Sequence, residues 1–340
     1  MTGKEIVLRL IGYDSPPRLA YDFSTGGDIR HVGMGRLIPN NGDHDKRAWG
    51  RYPELLAEVL PFSGEVRRDA WGNIIGRLEG KTKGECVKGV LEAGWELLDN
   101  WELPAFEPAY FDQLRGLCLG ESDQFILGSC PVSIFSALRD ARRMENALMD
   151  VALEPEHVER FVARIADRVV ELIEAVADMG FDGMMMSDDW GTQDRTFISP
   201  GAFRALFLPG YRRVAAACHG AGMKFFLHSC GYNYAFVPDM VRAGIDVLQF
   251  DQLGLYGYER MAAQFGGRVT FYSPLDIQKT LPTGDKALIQ SEALRMCKAF
   301  ARGGLILKDY PAYGDIGVEE EWAGWAREIF LAQFAHLESQ

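Results

Sequence analysis

Three features are scarce in this sequence: basic residues, long apolar runs and closely spaced cysteines. Its 340 residues include 36 Lys and Arg against 48 Asp and Glu, a formal net charge of −12. Nucleic-acid binding and adsorption to anionic membranes both depend on basic surfaces, so this balance argues against either role. No run reaches the length of about 18 apolar residues that a transmembrane helix needs. Charges at Lys4, Glu5 and Arg9 interrupt the first residues, and we expect no signal peptide.

The spacing of the cysteines does not indicate a disulfide framework. None belongs to a Cys-x-x-Cys pair, and their spacing is irregular. In a chain of this size such cysteines are typical of reduced thiols, so we expect a cytoplasmic protein. The six are Cys86, Cys118, Cys130, Cys218, Cys230 and Cys297.

From Phe125 onward, short apolar runs alternate with amphipathic helical segments. One such helix is predicted to begin at Ser199-Pro200, and we expect Pro209 to kink it. Nearly continuous apolar runs are typical of strands buried on both faces of a parallel sheet. Gly33-Met34-Gly35 has Ile38 where a dinucleotide-binding motif needs its last glycine. The pattern therefore predicts the α/β class and favours a (β/α)8 TIM barrel. The predicted strands are Arg18–Phe23, Phe125–Leu127, Gly183–Ser187, Lys224–His228, Asp246–Phe250, Val269–Tyr272 and Leu305–Leu307.

We interpret the whole chain, residues 1–340, as a single barrel domain. Residues 1–107 are predicted to supply a first strand and an irregular N-terminal capping region. Residues 108–340 are predicted to supply the main βα repeats. In such a barrel the active site is built at the carboxyl ends of the strands. Polar residues stand at these ends: Ser187, Asp188, Asp189, His228, Ser229, Cys230, Asp251, Gln252, Ser273, Lys308, Asp309 and Tyr310.

The pair His228-x-Cys230 is the most specific of these features. Residues two apart in an extended chain point to the same side, so an imidazole and a thiol face the barrel mouth together. Nitrogen and thiolate are ligands that Zn²⁺ prefers. A third ligand is required, and Asp309 is the first candidate, ahead of Asp188, Asp189 and Asp251. The alternative is a hydrogen-bonded core histidine beside a buried, apolar cysteine.

The adjacent carboxylates Asp188 and Asp189 admit several interpretations. They could act as a general acid or base, as metal ligands, or as a capping and salt-bridging pair. Because neighbouring residues of a strand face opposite ways, at most one of the two points into the mouth.

Several apolar and cap residues admit a binding role beside a packing role. Met186, within Met184-Met185-Met186, could line a substrate cavity or pack the barrel. Trp190, like Trp71, Trp95 and Trp101, could form an aromatic wall or belong to the core. In the predicted cap, His31 with Arg36, and Asp43-His44-Asp45, could bind an anion or a metal or be surface turns.

At the level of motifs, the sequence resembles the uroporphyrinogen decarboxylase superfamily, and more closely its cobalamin-linked methyltransferase branch. The resemblance runs from about Arg18 to the end and is most specific between Gly183 and Gln252. The residues that carry it are Asp188-Asp189-Trp190-Gly191-Thr192-Gln193, Ile198-Ser199-Pro200, Phe203, Pro209, Phe226, His228-Ser229-Cys230-Gly231, Asp69-Ala70-Trp71-Gly72, Gly244-Ile245-Asp246-Val247-Leu248, Asp276-Ile277-Gln278-Lys279-Thr280-Leu281-Pro282 and Gly303-Gly304.

This resemblance implies a (β/α)8 barrel in which His228 and Cys230 bind zinc. It further implies methyl transfer between a small methylated substrate (an aryl ether, amine or thiol) and the cobalt of a separate corrinoid protein, as in an O-demethylase. Because the sequence has no Asp-x-His-x-x-Gly cobalamin motif, we expect cobalamin to arrive on that partner. On this hypothesis Asp188, Asp189 and Tyr310 assist catalysis. Substrate would contact Trp190, Gln252, Ser273 and Met186.

The sequence departs from the family pattern in two places. Family zinc sites usually draw a third cysteine from the loop after the last strand, whereas that loop contains Asp309 here. The N-terminal arginine-rich motif of the decarboxylases is missing, and Arg30 and Arg36 resemble it only weakly. A decarboxylase of the uroporphyrinogen decarboxylase type, or a catalytically decayed binding barrel, remains as the alternative.

Overall fold

The computed structural model describes residues 1–39, 48–78 and 82–337. Its strands are β1 (Ala20–Phe23), β2 (Gly26–Gly27), β3 (Ile29–Gly33), β4 (Leu37–Ile38), β5 (Glu65–Arg68), β6 (Ile74–Arg77), β7 (Glu85–Lys88), β8 (Ala105–Phe106), β9 (Phe125–Ser129), β10 (Gly183–Ser187), β11 (Lys224–His228), β12 (Val247–Gln249), β13 (Thr270–Ser273) and β14 (Leu305–Lys308). Its helices are α1 (Gly3–Gly12), α2 (Pro53–Glu58), α3 (Pro108–Arg115), α4 (Ile134–Arg142), α5 (Met144–Leu153), α6 (Pro155–Val176), α7 (Pro200–Ala202), α8 (Leu208–Gly220), α9 (Val237–Arg242), α10 (Tyr258–Phe265), α11 (Lys286–Ala299) and α12 (Glu320–Leu337). None of these helices is long and apolar enough to cross a membrane.

A nearly closed barrel sheet forms the centre of the molecule, and it confirms the predicted α/β TIM-barrel fold. Its strand order is β2-β1-β14-β13-β12-β11-β10-β9-β3. Within this sheet, each pair of neighbouring strands from β1 to β3 in that order is parallel. The remaining strand of the sheet, β2, pairs antiparallel with β1. The strands are apolar because both faces are covered, and Phe125, Met184 and Phe226 have no exposed surface.

The strand β3 is absent from the predicted set. Arg30 and His31 lie within it, so it lacks the continuous apolar run of a strand buried on both faces. The interpretation of His31 as a cap residue is therefore wrong, because this histidine belongs to the barrel wall. Arg36 lies just beyond β3 and pairs with Glu107 at 3.2 Å. Asp43-His44-Asp45 lies outside the described residues.

The capping region lies largely between β3 and β9. There β5, β6 and β7 form an antiparallel sheet, and β4 pairs with β8. Leu55, Val59, Val66 and Ile74 make a small apolar core beneath this sheet.

The helix after β10 starts as its sequence predicts. Ser199 caps α7 by accepting a hydrogen bond from the Ala202 N–H at 3.1 Å. The expected irregularity lies just before Pro209, where Phe203–Phe207 form a π-helical turn. Proline removes one helical N–H and favours such a break.

Candidate functional site

Asp188 and Asp189 follow β10 and point in opposite directions, as adjacent extended residues do. The Asp188 carboxylate is fully buried, and it accepts hydrogen bonds from the Ile134 and Ser136 N–H groups at 2.9 and 2.8 Å. The Tyr211 hydroxyl donates a third at 2.7 Å. Burial raises the pKa of Asp188, against the effect of these bonds. The Asp188 carboxylate thus fastens the first turn of α4, in the manner of the capping alternative and away from the catalytic position that the resemblance implied.

Asp189 points to the other side and meets His228 and Cys230 at the end of β11. The His228 Nε2 atom lies 3.4 Å from the Asp189 Oδ1 atom and 3.4 Å from the Cys230 Sγ atom. The Cys230 N–H donates to Asp189 Oδ1 at 2.7 Å. One ligand atom from each residue lies within 4.8 Å of the others. This is the one such cluster of His, Cys and carboxylate groups in the part of the chain that the structure describes.

The other ring nitrogen of His228 is held by a neighbouring strand. Its Nδ1 atom forms a short hydrogen bond with the Gln249 side-chain oxygen. The Gln249 side-chain nitrogen donates to Asp251 at 2.7 Å, and Lys308 lies 3.3 Å from the same carboxylate oxygen. Because Gln249 accepts at Nδ1, Nε2 is the ring nitrogen directed toward Asp189 and Cys230, and its lone pair becomes available to an ion once its proton is lost.

Within the cluster of Asp189, His228 and Cys230, a protonated imidazole and an ionised carboxylate stabilise each other. Burial lowers the pKa of His228, but hydrogen bonds with Asp189 and Cys230 prevail and raise it to about 10. Burial likewise opposes ionisation of Asp189, yet the interactions with His228 lower its pKa. Burial raises the pKa of the Cys230 thiol. A cation that replaced the proton shared by His228 and Asp189 would meet a carboxylate and an imidazole, and it would have to displace the proton of the Cys230 thiol.

The spacing of these donors fits Zn²⁺. Tetrahedral ligands bound at about 2.0–2.3 Å stand about 3.3–3.8 Å apart. The two separations from His228 Nε2 to Asp189 and Cys230 are both 3.4 Å. Three protein ligands of this kind leave the fourth position for a substrate, as catalytic zinc sites do.

Asp309, the first candidate for the third ligand, lies elsewhere. Its carboxylate accepts a hydrogen bond from the Ser24 N–H at 2.7 Å and lies 3.5 Å from the Arg327 side chain. It follows β14, which is separated from β11 by two strands, whereas Asp189 follows β10, the direct neighbour of β11. The structure therefore brings Asp189, and not Asp309, within 4.8 Å of the ligand atoms of His228 and Cys230.

A cavity of about 610 Å³ opens at the mouth of the barrel on the side of β1 and β14. Tyr310, a predicted catalytic residue, is half-buried and lines it. Burial, together with the charge of Asp251, raises the pKa of Tyr310, which keeps its hydroxyl protonated and able to donate. The residues that line the cavity are Asp22, Phe23, Ser24, His31, Met185, Tyr272, Lys308, Asp309, Tyr310, Pro311, Ala312, Tyr313, Gly314 and Glu320.

The predicted substrate-contacting residues are not among the described residues that line this cavity. Trp190 has no exposed surface: it stacks on Phe135 with ring centroids 4.2 Å apart. Met186 and Ser273 are also fully buried, and Gln252 is 8% exposed. Successive side chains of a strand point to opposite faces, so Met185 faces the cavity and its neighbour Met186 does not.

Among the residues of the cavity wall outside the predicted site, Asp22, His31 and Tyr272 form a hydrogen-bonded group. His31 Nε2 lies 2.8 Å from the Asp22 carboxylate, and the Tyr272 hydroxyl donates a short hydrogen bond to that carboxylate. Asp22 is polar within a predicted apolar strand, which is the one sequence signal that points to it.

Comparison with known proteins agrees with this architecture. No curated protein matches the chain in sequence. A methyltransferase from Methanosarcina mazei has a similar structure, with a TM-score of 0.63 and 15% identity over 97% of this chain and 99% of that one. An L-ribulose 3-epimerase gives a TM-score of 0.41 at 14% identity, over 69% of this chain and 82% of that one.

The family model of uroporphyrinogen decarboxylase (URO-D) matches residues 126–308. The matched region is more than half of the chain, and it contains β10 and β11 with Asp189, His228 and Cys230. On this evidence the chain belongs to the uroporphyrinogen decarboxylase (URO-D) family.

Proposed function

We propose that this protein is a zinc-dependent methyltransferase that moves a methyl group between a small methylated substrate and the cobalt of a separate corrinoid protein. The observation that carries the proposal is the cluster of Asp189, His228 and Cys230 at the mouth of a URO-D barrel, spaced as ligands of one ion. The similarity in fold to the methyltransferase from Methanosarcina mazei supports it.

The three side chains would hold Zn²⁺, which when bound supplies Lewis acidity toward the heteroatom that carries the methyl group. Gln249 keeps the Nε2 atom of His228 directed at the ion, and the Cys230 N–H fixes the Asp189 carboxylate. A carboxylate in place of a second thiolate donates less electron density. This ligand set therefore favours activation of an ether or amine methyl donor over a thiol acceptor.

The cavity on the side of β1 and β14, whose residue Tyr310 senses the charge of Cys230, would bind the substrate. Phe23, Tyr310 and Tyr313 offer aromatic surface, and Met185 forms part of the wall. The protonated hydroxyl of Tyr310 would donate a hydrogen bond to the substrate. Because no Asp-x-His-x-x-Gly motif is present in the sequence, the cobalamin would be carried by the partner.

Decarboxylation of a porphyrinogen fits the cavity less well. A substrate with several carboxylates requires cationic side chains around it. Among the described residues of the lining, Asp22, Asp309 and Glu320 are acidic and Lys308 is the one lysine or arginine. The Lys308 amine is moreover engaged by Asp251.

Methyl transfer to free cob(I)alamin tests the proposal. Protein purified without chelator would be given methylated phenols, amines and thiols, and formation of methylcobalamin would be followed by absorbance. The variant H228A with C230S should lose both zinc and transfer. A matched control, H219A with C118S, changes the same residue types at an exposed histidine and an exposed cysteine and should keep both. Transfer by zinc-free protein, or decarboxylation without transfer, would overturn it.

A further inference from the structure

A histidine, a carboxylate and a tyrosine from three different barrel strands meet in the cavity wall. His31 on β3 places Nε2 2.8 Å from Asp22 on β1, and the Tyr272 hydroxyl on β13 lies 3.3 Å from the same nitrogen. Burial raises the pKa of Tyr272 well above its ordinary value, so this hydroxyl donates to Asp22 and stays neutral. Asp22 accepts from both neighbours and thereby fixes the ring of His31.

One ring nitrogen of His31 remains available. Nε2 is engaged by Asp22, and no described residue makes a hydrogen bond to Nδ1. The His31 side chain is 40% exposed and lines the cavity, whereas Tyr272 is buried. An imidazole oriented by a carboxylate through one nitrogen and open to the cavity through the other is the arrangement of a general acid or base.

Polar side chains connect the group of Asp22, His31 and Tyr272 to the metal-ligand cluster, which consists of Asp189, His228 and Cys230. Lys308 lies 3.3 Å from the Asp251 carboxylate, and its amine stands 5.4 Å from the centre of the Tyr272 ring. Asp251 in turn accepts from Gln249, which holds His228. These contacts link the two clusters through β12, β13 and β14, and the inference below takes a substrate that extends from the metal-ligand cluster to His31.

Demethylation leaves a negative charge on the departing heteroatom, and a proton donor can neutralise it in addition to the Lewis acid. When the bond from the methyl carbon to oxygen breaks, its electron pair stays on the oxygen. The carbon bonds to the cobalt(I) of the corrinoid protein, which supplies the electron pair and becomes cobalt(III). The oxygen takes one proton and leaves as a phenol or alcohol. The metal-ligand cluster holds no proton donor that is free to supply it once its members bind an ion.

We propose that His31 donates this proton to the departing heteroatom of the substrate, with Asp22 and Tyr272 as its positioning residues. This inference rests on the proposed methyl transfer. The neutral imidazole left after the step regains a proton from solvent through its exposed edge. In the reverse direction, His31 accepts the proton of the methyl acceptor.

Dependence on the leaving group separates proton donation from a structural role. A substrate whose phenol is weakly acidic needs the proton, whereas a nitro-substituted anisole releases a stable anion and does not. H31Q should slow the first by about 100-fold or more, the low end of general acid catalysis, and the second by less than about tenfold. D22N and Y272F should show the same pattern to a smaller degree. Equal losses for all substrates would overturn the assignment.

The chain offers a matched control. His219 also pairs with a carboxylate, Asp246 at 2.7 Å, and its side chain is 43% exposed, but it lies in α8, before β11 begins. H219Q should leave the dependence on the leaving group unchanged. A shift in H219Q as large as that in H31Q would contradict a specific role for His31.

A binding measurement distinguishes failure of this inference from failure of the proposed function. 4-Nitrophenolate would be titrated into the zinc-loaded wild-type protein and into H31Q, and its visible absorbance recorded. Protonation by His31 predicts loss of phenolate absorbance in the wild type but not in H31Q. Absence of binding, or the same spectrum in both, overturns the inference. A His31-dependent loss without methyl transfer to any corrinoid refutes the proposed function but leaves the proton exchange established.

Discussion

The neighbouring carboxylates Asp188 and Asp189 allow a paired test of which one supports the fold and which one serves the site. In D188N, one oxygen becomes an amide nitrogen that faces N–H or O–H donors, while the other oxygen still accepts. Hydrogen bonds to a charged acceptor contribute about 1.5–3 kcal/mol each, and Asp188 accepts three. Since burial of its charge costs part of this sum, we expect a net loss of about 2–4 kcal/mol in unfolding free energy.

Urea unfolding followed by circular dichroism, with a chelator present in all samples, measures this loss. D189N is the matched control, because the Asp189 side chain is 44% exposed and its contacts lie in the site. We expect D189N to unfold near the wild-type midpoint but to bind zinc weakly. D188N should unfold early and retain its zinc affinity. If D188N were as stable as the wild type while D189N was not, the assignment of the two carboxylates would be refuted.

Three further predictions concern the frame of the site and the cap. Gly231 has φ +79°, and a Cβ atom there would lie 2.0 Å from a backbone oxygen, so G231A should yield little folded protein in an expression and solubility assay. Arg142 and Asp150 form a buried pair at 2.7 Å, so D150A should lower the unfolding free energy by about 3–5 kcal/mol in urea. A hydrogen bond from Lys88 lowers the pKa of Glu58, so this pair stabilises the cap at neutral pH and stops doing so in acid. E58Q should flatten that part of the dependence of the thermal midpoint on pH.

The sequence predicts the barrel well because a strand buried on both faces must be apolar throughout. The seven predicted strands coincide with β1 and with β9 to β14. β3 breaks this rule: its His31 faces a cavity, where a polar side chain costs little. The search for apolar runs therefore misses β3, in which Arg30 and His31 are exposed.

The metal-ligand cluster is predicted in part for a related reason. His228 and Cys230 are two residues apart, so local geometry alone brings them together. The third ligand depends on which strand end lies beside β11 and on which of two adjacent carboxylates turns inward. Both depend on the tertiary structure, which brings Asp189 after β10, and not Asp309 after β14, close to His228 and Cys230. The same one-residue alternation exchanges Met186 for Met185 at the cavity.

The buried position of Trp190 also has a tertiary cause. Its indole N–H donates to Tyr211 at 3.0 Å, and its ring lies 4.8 Å from that of Phe207. The π-helical turn before α8 supplies Phe207, and nothing in the spacing of the aromatic residues indicates that this helix covers the indole.

The zinc content of four single variants tests the central claim most directly. Asp189, His228 and Cys230 are the proposed ligands, whereas Asp309 accepts a hydrogen bond from Ser24 and lies near Arg327. Elemental analysis after equilibration with buffered Zn²⁺ should find about one zinc per wild-type chain and per D309N chain. It should find sharply reduced zinc in D189A, H228A and C230S. Full occupancy in those three variants, or loss of zinc in D309N alone, would contradict the account.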